Sequence, residues 1–154
     1  MAMARTGGRR GEVGRTEILV GLAVLAVLVL ITVPLIWSMA RRSRREEVAE
    51  NVEAIRQREL ENMRTFSEYL AADAAPRPPH TVNSDPVPWV PSPGFQRLGW
   101  APSESDVRGS YSVTVAGGEF VVRGSCDVDG DGHRAIYEAT ADKPASLTTD
   151  ASIY

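Results

Sequence analysis

Cysteine occurs once in these 154 residues, as Cys126, so no internal disulfide can brace the chain whatever its redox surroundings. The role left to that thiol is a buried and unreactive one. Histidine occurs twice, His80 in a proline-rich stretch and His133 beside an acidic run, and neither makes a paired ligand spacing with Cys126. A zinc set is therefore not built, and little remains from which to assemble a catalytic centre. Seven of the ten prolines are confined to Pro76–Pro93, and charge is missing altogether from Ile18 to Ala40. That last absence dominates the organisation of the chain.

A membrane segment and a net charge of −3 leave room for one small domain beyond the anchor. The charge is uneven: residues 1–64 hold eleven arginines against eight acids, and residues 65–154 hold six basic groups against twelve acids. An acidic distal part argues against nucleic acid as a partner.

Glu17 precedes sixteen uncharged residues and then Pro34. At a rise of about 1.5 Å per residue, Ile18 to Trp37 spans roughly 30 Å as a helix, the thickness of a bilayer's hydrocarbon core. A cleavable signal peptide is the competing reading, because the head is basic and Ser38-Met39-Ala40 is a small-residue site of sorts. The apolar run is too long for a signal core, and Arg41-Arg42-Ser43-Arg44-Arg45 follows it at once, so an anchor is expected. Four arginines stand on each side, and the positive-inside rule gives no orientation.

Helix signals continue to about Ala72. Val48, Val52, Ile55, Leu60, Met63, Phe66 and Leu70 form an apolar stripe close to helical period, which demands a cover. The proline-rich stretch then excludes helix and central strand, and Trp89 and Val90 within it predict a loop pressed on the domain rather than a free linker. Strand signals follow at Gly109–Val115, Glu119–Arg123 and Arg134–Thr140, the first two joined by a tight turn at Ala116-Gly117-Gly118. The expected segments are a basic head or leader over 1–16, a membrane helix over 17–40, its amphipathic continuation over 41–72, a proline-rich loop over 73–94 and an antiparallel sheet domain over 95–154. The fold class is α+β, a long helix packed on a small antiparallel sheet.

Asp127, Asp129 and Asp131, with Gly132 and then Glu138, fit the first, third, fifth, sixth and twelfth positions of a calcium loop. Calcium takes six to eight oxygens, which these carboxylates and nearby carbonyls offer. Strand signals on both sides are unlike a helix–loop–helix hand, and an acidic turn without metal is the alternative. Calcium is the one cofactor the sequence suggests.

An acid on the first turn of an apolar segment, a proline seventeen positions later, a juxtamembrane helix Arg44–Arg56 and the run Gly94-Phe95-Gln96-Arg97-Leu98-Gly99-Trp100 together resemble the type IV pilins and the pseudopilins of type II secretion. The resemblance implies a pilin-like fold in which Gly94–Trp100 begins the globular sheet. It also implies a subunit held in the inner membrane with its domain in the periplasm, then extracted into an extracellular filament. Its partners would be further copies of itself or other pilins, an inner-membrane assembly platform, and a prepilin peptidase. Glu17 would meet a neighbour's freed N-terminal amine, and Pro34 would let the helix bend on docking. The family's peptidase consensus puts glycine where this chain has Glu12, so cleavage is expected near Gly11 or Gly14. The second expectation is a single-pass, membrane-anchored periplasmic domain, calcium-binding or not, that never polymerises.

Overall fold

The computed structural model describes residues 14–154. Gly11, Glu12 and most of the basic head expected over 1–16 lie outside the described residues. One α-helix, α1, runs Arg15–Phe66, and the chain divides into two compact units, residues 1–38 and 39–154. The second unit is the α+β arrangement expected, with the distal part of α1 against a small antiparallel sheet.

Within that unit Val48, Val52 and Ile55 are completely buried, a spacing of four and three that keeps them on one helical face. The apolar stripe read from sequence does not continue as expected. Beyond Ile55 the buried positions are Glu59 and Asn62, whereas Leu60 and Met63 are half-buried and Phe66 is 68% exposed. Helical period explains the change: 59 and 62 continue the face of 52 and 55, and Leu60 lies about 100° away from it. The face is set by geometry, and polar residues occupy it.

α1 also stops short of the expected Ala72. Ser67 takes a left-handed φ of 59° and its N–H donates to the Met63 carbonyl at 2.9 Å, an αL termination achieved without glycine. Strand β1, Ala72–Ala75, follows within the region read as the helix end and the start of the loop. Then come β2 (Val87–Pro88), a short helix α2 (Pro93–Leu98), β3 (Asp106–Val107), β4 (Ser110–Ala116), β5 (Glu119–Cys126), β6 (Ala135–Thr140) and β7 (Ser146–Leu147). The main sheet has the order β1-β4-β5-β6-β7, antiparallel throughout, and β2 pairs with β3 separately. Gly117 and Gly118, at φ of 61° and 82°, make the expected two-residue hairpin between β4 and β5.

Of the run Gly94–Trp100, expected to begin the sheet, Gly94–Leu98 is helical instead. Pro93 presets φ at the first helical position, and Gly99 at φ 64° ends the helix, so the two punctuating residues frame a single turn and a half. Phe95 and Leu98 from this helix are buried, and Phe95 joins Trp89, Trp100 and Tyr111 in a cluster with ring centroids 5.2–6.2 Å apart. Trp89 thus presses the proline-rich loop onto the domain, although Val90 beside it is exposed. Arginines fix the loop's backbone: Arg77, Arg108 and Arg134 donate to the carbonyls of Asp85, Ser84 and His80 at 3.0, 2.8 and 2.9 Å.

Helix and sheet meet tightly at Gly124 on β5. A Cβ there would stand 2.5 Å from Val52 Cγ2 and 2.9 Å from Val48 Cγ1, so hydrogen is the only side chain this contact admits. At the other side of the sheet, Arg56 donates to the carbonyls of Thr140 and Ala141, and Glu53 accepts from the Ala145 N–H at 2.9 Å. Gly124→Ala is expected to destabilise the domain by about 1–3 kcal/mol, the usual cost of overpacking. Adding Val52→Ala should recover part of that loss, a non-additivity that denaturant unfolding followed by tryptophan fluorescence will measure. An alanine variant as stable as the parent would contradict the contact.

Candidate functional site

Two regions carry the residues singled out by sequence. The first is the apolar part of α1. Sixteen large apolar side chains from Ile18 to Met39 are each at least 44% exposed, and the segment is long and apolar enough to cross a membrane. Burying each is worth roughly 1.5–3 kcal/mol, so leaving all of them in water would cost tens of kcal/mol. Lipid or other apolar helices must cover them. The few polar groups in the segment are satisfied locally: Thr32 Oγ1 donates to the Leu28 carbonyl at 2.7 Å and Ser38 Oγ to that of Leu35 at 2.8 Å. Such back-bonding leaves neither hydroxyl facing hydrocarbon as a free donor.

Glu17 sits at the third helical position. The Gly14 carbonyl accepts from the N–H groups of Glu17 and Ile18, and Glu17 Oε2 accepts from the Gly14 N–H at 3.1 Å. This is the acidic half of a capping box, and it places the carboxylate where the helix dipole favours it. Gly14, a candidate cleavage position, is therefore the N-cap of α1. Pro34 lies inside the helix, where its ring nitrogen gives the Leu30 carbonyl no donor.

The second region is the acidic turn between β5 and β6. Oxygens of Asp127, Asp129 and Asp131 lie within 4.8 Å of one another. Asp127 is buried, and its two oxygens accept from the N–H groups of Gly130 and Gly132 at 2.7 and 3.0 Å. Asp131 accepts from the His133 N–H, and Asp129 faces the guanidinium of Arg41 at 3.6 Å. Gly130 and Gly132 hold positive φ, which lets the backbone curl around the Asp127 carboxylate.

Glu138 is not in this group. It stands on β6 opposite Arg123 of β5 and accepts from Arg123 Nε at 2.8 Å. The strand carries it away because β6 begins at Ala135, whereas the twelve-position loop needs a helix there to bring its last acid back. What remains is three carboxylates, one engaged by two backbone amides and one by an arginine. The donors present fall short of the calcium hand and fit an acidic turn braced by its own hydrogen bonds.

Sequence reasoning missed the partner of this turn. Arg41 and Arg45 read as flanking charges of the membrane segment, yet both engage the residues around Tyr154. Their guanidinium carbons lie 5.2 and 4.8 Å from the Tyr154 ring centroid. Arg45 is buried and donates to the carbonyls of Ala151 and Ile153, while the Val128 N–H donates to the Tyr154 carbonyl at 3.1 Å. The one available signal was their spacing of four, which puts both on a single helical face. His80 and His133 are exposed and lie apart from Cys126, which is fully buried. Burial pushes the Cys126 thiol up to about 12, so it is not a nucleophile at neutral pH.

Because Arg41 is the nearest cation to Asp129, a divalent ion entering the turn has to displace it. Arg41→Ala should therefore melt higher in millimolar calcium than in chelator by a larger margin than the parent does, measured on the full chain in detergent, whereas Glu138→Gln should respond as the parent does. Equal responses in parent and Arg41→Ala would show that the two cations do not compete. Comparisons of this chain with family models, with curated proteins and with solved structures found no match.

Proposed function

We propose that the chain is a structural subunit of a type IV pilus-like filament, held in a membrane by the apolar part of α1 before assembly and packed through it afterwards. The observation that carries this reading is the division of labour along one helix. Residues from Ile18 to Met39 expose a continuous apolar surface, and Arg45–Asn62 bury one face on an antiparallel sheet. An anchor alone needs the first property, and a soluble α+β domain needs the second. A filament subunit and an anchored domain both need the two together, and the filament adds that the apolar helix must exchange lipid for neighbouring helices while the domain stays folded. Glu17 and Pro34, at the family interval, add to the support.

In assembly, Glu17 would leave lipid headgroups for an apolar helix bundle, where an unpaired carboxylate is costly. A cationic partner on the neighbouring subunit would meet that cost. Within one chain the carboxylate already serves the Gly14 N–H, and this favours the second reading, a single-pass anchored domain that does not polymerise. Two substitutions separate the readings. Glu17→Gln keeps an acceptor for the cap and removes the charge, whereas Glu17→Ala removes both.

Both variants should insert into membranes as the parent does, since loss of a charge favours partitioning. Both should also yield far fewer filaments in sheared cell-surface material examined by electron microscopy, with the subunit identified by mass spectrometry. Normal assembly of Glu17→Gln would show that only the helix cap matters. Recovery of the parent protein solely from washed membranes would establish the anchored reading instead. The mature subunit is expected to begin between Glu12 and Arg15, and an intact mass retaining residues 1–11 would show that no peptidase acts there.

A further inference from the structure

Near its end, the face of α1 that covers the sheet holds a carboxyl group with no charge partner. Glu59 is completely buried, its Oε2 accepts from the Leu70 N–H at 3.0 Å, and its Oε1 has no hydrogen-bond partner. Leu70 belongs to the segment that leaves the helix after the strained Ser67 and leads into β1. Its other ties are the Asn62 Nδ2 donation to the Glu68 carbonyl at 2.8 Å, the Tyr69 ring edge-on against Phe120 with centroids 4.6 Å apart, and the half-buried packing of Tyr69 and Leu70 on the core. We propose that Glu59 and the segment Ser67–Leu70 form a proton-operated latch, closed while the carboxyl is neutral and released as it ionises.

A buried carboxylate is tolerable only beside a cation or several donors, and Glu59 has one amide. The surrounding charges are engaged elsewhere. On α1 itself, Arg58 donates to the Leu98 carbonyl and Glu61, and Arg56 to the carbonyls of Thr140 and Ala141. From the flanking elements, Asp73 of β1, Arg97 of α2, Glu119 of β5 and the loop residue Glu68 are exposed, and Arg123 is paired with Glu138. None of them forms an ion pair with Glu59. Accordingly, burial pushes this carboxyl up to about 7, a rise that the Leu70 amide only partly opposes.

A carboxyl whose closed-state value exceeds its open-state value binds more protons closed than open, so closure weakens as pH rises from about 4.5 to about 7 and loses little more above that. Opening the segment lets water reach the carboxylate without unfolding the sheet, because the ties that must break are the Leu70 amide bond and its immediate neighbours.

The test is hydrogen exchange at the Leu70 amide in the full chain, expressed as a protection factor so that the intrinsic pH dependence of exchange is removed. Protection should fall about tenfold between pH 6 and pH 8, as the shift to about 7 requires. Amides at the centre of β5 should be unaffected. Glu59→Gln, which keeps the acceptor for Leu70 and cannot ionise, should show no such fall. The same fall in Glu59→Gln, or none in the parent, overturns the latch. A direct readout serves if the variant does not fold: carboxyl-carbon resonances of the parent should titrate at Glu59 near neutrality, and a midpoint in the ordinary glutamate range refutes the proposal.

Discussion

Gly124 permits the contact on which the rest of the domain depends. Its missing side chain lets Val48 and Val52 lie against β5 at a distance that any Cβ would forbid, and the completely buried Ile55 extends the same seam. From that approach follows the rotation of α1 about its axis. Once Val48, Val52 and Ile55 face the sheet, helical period dictates that Arg45, Glu59 and Asn62 face it too. With Asn51, which is also buried on α1, four polar residues are buried because three apolar ones needed to be.

Each of these polar residues is resolved differently. Arg45 finds two carbonyls and an aromatic face in the segment ending at Tyr154, and Asn62 finds the Glu68 carbonyl. Asn51 donates to the Tyr111 hydroxyl at 2.9 Å, which leaves that buried ring hydrogen-bonded. Arg45 keeps an unpartnered Nε, and Glu59 alone is left with an unpaired oxygen. A satisfied polar group makes the packing specific, whereas a half-satisfied carboxyl makes it conditional on pH.

The acidic turn illustrates a similar division between composition and placement. Three aspartates in five residues suggest a metal, but a loop gathers ligands only if its flanking elements return the last donor. Here the flanking element is a strand, and β6 commits Glu138 to Arg123 instead. The repulsion among the aspartates is met by the amides of Gly130, Gly132 and His133 and by Arg41. The residue that completes the turn comes from the helix, not from the loop.

The charge-free run from Ile18 to Ala40, the hairpin at Gly117-Gly118, the three central strands and the docking of Trp89 were all legible in sequence, because each depends on a local rule of hydropathy, dihedral preference or alternation. The α+β class followed from them. The end of α1 at Ser67 was not legible, since a serine in a left-handed conformation leaves no compositional mark. Nor was α2, whose turn and a half reads as easily as a loop or a strand start. The burial of Glu59, the docking of Arg41 and Arg45 and the loss of Glu138 from the acidic turn were decided only by tertiary structure. Each rests on a partner distant in the chain, and local pattern carries no information about which face of a helix such a partner will meet.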